Sequence, residues 1–195
     1  MCARQAVLSE LNGDPSARIM FIAEAPGRCG GDRTRTPLSG DASGANFTRY
    51  LASINLARDR IFITNTVLCN PRKESGANRK PSQLEINNCS VFLTRQLDII
   101  NPAIVVTLGR VALEALRRIQ YHPLTLNKDA GQIHEWRARL LVPLYHPSPQ
   151  VLASHRRERA QLEDYQAVRQ AIEQLQLYRT PVSYTHLTLP TNREV

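Results

Sequence analysis

In FIAEAPGR, Phe21 to Arg28, an apolar run ends on the carboxylate of Glu24, and Pro26 and Gly27 stop the run from continuing. A carboxylate fixed on such a ledge can steady a developing cation or orient water, or it can bond to local backbone; the residues alone leave both open. Asp41 lies in the glycine-rich stretch GRCGGDRTRTPLSGDASG just before Ser43, which reads as a helix N-cap. It faces free N–H groups, either as a ligand-directed acid or as a turn and cap residue. His146 opens HPSPQVLASHRR, where prolines stiffen the chain and Arg156, Arg157 and Arg159 follow. That arrangement suits a hydrogen-bond donor beside a phosphate-gripping surface, to which His155 can belong, and a lone histidine also suits a structural role. Asn65, in ITNTV, has a carboxamide with one donating and one accepting end. Such a group can read a pyrimidine edge or brace a neighbouring loop. His122, in YHP, reads only as structural.

Four near-continuous apolar runs must hold these groups: Arg18–Ala23, Ile61–Leu68, Ala103–Gly109 and Arg139–Tyr145. Runs of that kind are strands covered on both faces of a parallel sheet. Helical patterns lie between and after them: 43–54, 82–100 opened by the capping box Ser82–Glu85, 110–119, and a terminal stripe through Leu162, Tyr165, Val168, Ile172 and Leu175. The alternation predicts a three-layer α/β/α sandwich around a central four-stranded parallel sheet. Ligands gather outside the carboxyl ends of such strands, which here are FIAEAPG, TNTVLCNP, TLGR and YHPSP.

The 195 residues, 42% hydrophobic and 22% charged, fit one soluble domain. No apolar run approaches the roughly 20 residues of a membrane span, and the start lacks a signal-peptide core, so a cytoplasmic protein without a membrane partner is expected. A net charge of +8 favours polyanionic partners. The four cysteines, Cys2, Cys29, Cys69 and Cys89, form no CxxC pair, which removes support for a zinc ribbon. Residues 1–178 read as the domain, with a start that looks truncated. Residues 179–195 abandon the helical period and resemble translated adapter sequence, so they are read as a non-native tail.

The ordered set EAPG, GD-x-SG, ITN-x-V-x-C-NP, N-R-x-P-x4-E-x3-C and HPSP resembles the uracil-DNA glycosylase superfamily, and within it the iron–sulfur families four and five. The likeness covers roughly residues 18–165. It implies a uracil-DNA glycosylase-like fold and a DNA-repair enzyme that flips uracil out of DNA and hydrolyses its N-glycosidic bond, leaving an abasic site. By that resemblance Glu24, Asp41 and His146 are the catalytic candidates, with Glu24 favoured over Asp41 as the acid because its strand-end position is better fixed. Ala25, Pro26, Gly27, Leu38 and Asn65 would bind the base. Pro147, Ser148, Pro149, Arg156 and Arg157 would contact DNA, with Leu152 filling the vacated stack. A [4Fe–4S] cluster is implied on Cys69, Cys89 and Cys2, with the fourth ligand missing or upstream; Cys29 lies where the family has none.

The sequence departs from the family in the loop at Pro37-Leu38, where family four usually carries an aromatic residue, and Phe47 on the following helix is the available substitute. Three other readings compete: a non-catalytic damaged-DNA binder, a glycosylase for hypoxanthine or xanthine, and a nucleotide binder using TLGR as a phosphate cradle. The last lacks a GxGxxG fingerprint and a P-loop. A monomer acting on uracil-containing DNA is the expectation.

Overall fold

The computed structural model describes residues 5–177, so Cys2 and the tail at 179–195 lie outside the described residues. The elements run in the order β1 (Ile19–Ala23), α1 (Gly31–Thr34), α2 (Ala42–Ser53), β2 (Phe62–Asn65), α3 (Gln83–Ile100), β3 (Ile104–Leu108), α4 (Arg110–Ile119), α5 (Leu126–Asp129), β4 (His134–Trp136), β5 (Arg139–Leu144), α6 (Pro149–Ser154) and α7 (Glu158–Leu177). The five strands form one sheet in the order β2-β1-β3-β5-β4. The four expected strands are present and mutually parallel, and β4 adds antiparallel to β5 at the edge.

Strand alternation divides the core between the two faces of the sheet. Phe21, Val106 and Val142 point toward Phe47, Tyr50, Tyr165 and Val168, so α2 and α7 cover one face. Met20, Ile22, Val105 and Leu141 point toward Leu93, Leu97, Leu113 and Leu116, so α3 and α4 cover the other. The expected three-layer sandwich follows. Phe47 is fully buried edge-on against Phe21, with ring centroids 5.2 Å apart, and serves the core instead of replacing a pocket aromatic.

Three local differences from the sequence reading have physical causes. β2 ends at Asn65 instead of Leu68 because its ladder partner β1 ends at Ala23, where Pro26 soon carries the chain away. The N-cap of α2 is Asp41 and not Ser43: the Gly44 amide donates to Asp41 Oδ1 at 2.9 Å. β4 escaped notice because His-Glu-Trp is three residues long and only Trp136 is buried. Among the described residues no helix is long and apolar enough to cross a membrane.

Candidate active site

The carboxyl ends of β1, β2 and β5 converge on a cleft of about 430 Å³. Glu24, Asn65 and His146 line it, each within one or two residues of a strand end. The loop after β1 contributes Ala25, Pro26, Gly27, Leu38 and Asp41, so all the candidate base-binding and catalytic residues share one cavity. Ser43, Asn70, Asn78, Arg79, Lys80 and Gln150 are among the other residues that line it.

Glu24 is half-buried, and among the described residues its carboxylate accepts no hydrogen bond. Burial raises its pKa above the ordinary 4.5, and the positive charges of Lys80 and Arg110 oppose that rise. It is therefore an ionisable group with free acceptor capacity, and the local-backbone alternative falls away. Asp41 is differently employed. One carboxylate oxygen caps α2, and the other lies where a Cβ on Gly30 would approach to 2.3 Å, so only glycine admits it there. Its charge still reaches His146.

Asn65 is 3% exposed, and its Nδ2 has no hydrogen-bond partner. A buried amide donor left open is costly and lies at the wall of the cleft, which marks it as awaiting an acceptor. His146 is half-buried with an edge in the cleft; desolvation pushes its pKa down to about 4, against an upward pull from Asp41. The imidazole is thus neutral near pH 7, a hydrogen-bond donor and not a charge. The chain behind it is pinned: Asn46 Nδ2 donates to the Pro147 carbonyl at 2.9 Å, Ser148 caps α6 through the Val151 amide, and Pro149 occupies its first turn.

The outer residues divide. Arg157 is exposed, and Leu152 is half-buried on α6. Arg156 is not a free cation: its Nε and Nη2 donate to Asp164 at 2.9 and 2.6 Å, with Asp164 only 6% exposed. That pair ties α7 to the loop after α6. His155 Nδ1 meets its neighbour Ser154 at 2.5 Å, and His122 is buried with Nε2 donating to the Leu113 carbonyl at 3.1 Å, the structural role expected. Cys69 is buried, Cys89 half-buried on α3 and Cys29 exposed.

The sequence reading missed the hydrogen-bond network that joins the cleft wall to the Glu24 ledge. Asn70 donates to the Pro26 carbonyl and, at 3.0 Å, to Asn78, whose oxygen also accepts from the Arg28 amide at 3.1 Å. Arg72 bridges Asn70 and Asp32 at 2.7 and 2.5 Å. The stretch Asn70–Lys80 is thereby bonded to the Glu24 ledge. The available signal was its pair of asparagines, short side chains able to bond backbone.

Residues 11–176 match the family described as the uracil DNA glycosylase superfamily. The chain is 35% identical over 179 residues to a type-4 uracil-DNA glycosylase of Sulfurisphaera tokodaii, covering 89% of this chain and 76% of that one. It is 36% identical over 166 residues to a type-4 enzyme of Saccharolobus solfataricus, covering 82% and 74% of the two chains. A type-5 uracil-DNA glycosylase of Pyrobaculum aerophilum is 32% identical over 150 residues, covering 70% of this chain and 64% of its own.

Proposed function

Because this chain belongs to the uracil-DNA glycosylase superfamily, we infer that it excises uracil from DNA by hydrolysing the N-glycosidic bond. The observation that carries the assignment of this site is the open Nδ2 of buried Asn65 in the cleft. Uracil entering the cleft would offer O4 to that donor, while its N3–H would donate to Asn65 Oδ1. Cytosine carries an amino donor where uracil has O4, so two donors would meet and cytosine would be refused.

The chemistry then follows from charge. As the C1′–N1 bond opens, the sugar becomes cationic and the base anionic. Glu24, ionised and free of hydrogen bonds, supports the cation and orients water. Neutral His146 donates to uracil O2 as negative charge develops there. Asp41 caps α2 and holds the loop, so Glu24 is the acid. Pro147–Pro149, Leu152 and Arg157 would contact DNA, whereas Arg156 braces the fold.

For the [4Fe–4S] cluster, the described residues supply Cys69 and Cys89 of the expected ligands. Among the described residues no group of three or more Cys, His, Asp or Glu is placed to hold a metal. They do not complete the set, and no step above depends on it.

The test is base release from a single-uracil oligonucleotide under single-turnover conditions. Glu24→Gln is expected to lower the rate by roughly 10²–10⁴-fold. Asp41→Asn, which keeps a good N-cap, should cost far less. Abasic product falling in the Asp41 variant while Glu24→Gln stays active would reverse the assignment, and no product from the unaltered protein would refute the activity.

A further inference from the structure

Leu38 is held in a conformation that leucine does not favour. Its φ is 47°, in the left-handed region where a Cβ crowds the following carbonyl, and the residue lines the cleft while packing against the core. Residues kept in such regions persist only where their surroundings over-determine them, and they gather at ligand sites. The surroundings here are specific. Beneath the loop lies Gly44 of α2, where a Cβ would come within 2.7 Å of the Leu38 carbonyl oxygen, so helix and loop meet backbone to backbone. At the loop's flank, the hydroxyls of Thr34 and Ser39 both donate to the Thr36 carbonyl at 3.2 Å.

The third hold is Arg58, in the 3-10 turn Arg58–Arg60 that precedes β2. Its Nη1 donates to the Leu38 carbonyl at 3.3 Å and its Nη2 to the Pro37 carbonyl. The guanidinium lies 5.9 Å from the centroid of Phe47, and among the described residues it meets no carboxylate. A half-buried cation is thus spent on two backbone carbonyls of one loop. Leu38 also lines a second depression of about 500 Å³, together with Ala45, Thr48 and Arg58, so open space adjoins it away from the other cleft residues.

We propose that Arg58 is a positioning residue for the pocket: by holding the Pro37 and Leu38 carbonyls it keeps Leu38 as an aliphatic wall against the extruded base, and so limits which bases enter. This rests on the glycosylase reading above. With the hold released, the wall can yield into the adjoining depression, which makes room for a two-ring base. The pocket then loses selectivity before it loses uracil.

The experiment compares single-turnover release of hypoxanthine and uracil from one oligonucleotide sequence, with folding checked by urea unfolding. Arg58→Met, which keeps bulk and removes the donors, should raise the hypoxanthine-to-uracil ratio roughly tenfold. Arg58→Lys, which retains one donor group, should fall between, and it carries the test if Arg58→Met does not fold. On a Leu38→Ala background, Arg58→Met should add nothing further, because both act through the same wall. A ratio within about twofold of the unaltered protein, hypoxanthine release undetectable throughout, or full additivity with Leu38→Ala would each overturn the proposal. If the unaltered protein releases no base at all, the glycosylase reading fails, and the Leu38 methyl signals of isotope-labelled protein decide this one. Signals displaced by Arg58→Met support it, and unchanged signals sink it.

Discussion

Glu24 sits within reach of two cationic charges, and among the described residues its carboxylate accepts no hydrogen bond, so its ionisation should govern the acid side of the reaction. Its pKa is raised from 4.5 by burial, and in the proposed mechanism the ionised form acts, so the rate of base release should climb with pH through a limb above 4.5. His146, held down to about 4, is already neutral at every pH where that limb is complete; no second limb should appear near 6.5. Removing the opposing charge with Lys80→Met should move the acid limb to higher pH, and the difference should shrink as salt screens it. Single-turnover pH profiles of both proteins check this, and a limb near 6.5 would mean that His146 titrates as an exposed imidazole does. Glu24 and His146 were legible because each is a polar residue placed where an apolar run stops. Lys80 and Arg110 were not, because they reach Glu24 from loops and helices distant in sequence.

Between residues and fold lie the helix ends, and the start of α3 is the most heavily tied. Ser82 Oγ accepts from the Glu85 amide, Glu85 accepts from the Ser82 amide at 2.8 Å, and Arg79 clasps the same carboxylate at 2.7 and 2.8 Å. These contacts, the Arg79 hydrogen bond first, lower the Glu85 pKa to about 2. A depressed carboxylate contributes stability that is complete above its unfolded value and is lost as pH falls toward the folded one. Glu85→Ala should therefore cost about 1–2 kcal/mol at pH 7, after solvent screening of a partly exposed pair, and almost nothing near pH 2. Urea unfolding at the two pH values measures it; an equal cost at both would show the pair to be inert. The Ser-x-x-Glu signature announced this cap in the sequence. Arg79 joining it did not show, because a loop that doubles back leaves no periodicity to read.

At the scale of the whole molecule the excess of Lys and Arg should show as salt-dependent DNA affinity. The two adjacent arginines after α6 separate binding from folding. Arg157→Met should weaken binding alike for all sequences and reduce the log–log salt slope by about one. Arg156→Met should chiefly lower the melting temperature, since it leaves buried Asp164 without its partner. Anisotropy titrations at several salt concentrations, set beside thermal melts, distinguish the two; a lost salt slope in Arg156→Met at unchanged melting temperature would reverse the roles. The parallel sheet, the order of its strands along the chain and the residues at their carboxyl ends could be read from the amino-acid order alone, because hydrophobic periodicity and proline or glycine punctuation act over neighbouring residues. The folded chain was needed to see that Asp41 caps a helix while Glu24 stays open, that Asn65 keeps a donor without a partner, that Arg156 is bound to Asp164, and that Arg58 donates to the Leu38 carbonyl. Apart from the Asp41 cap, which is local, each depends on which groups packing between elements brings within about 3 Å or leaves apart, and order along the chain does not set that.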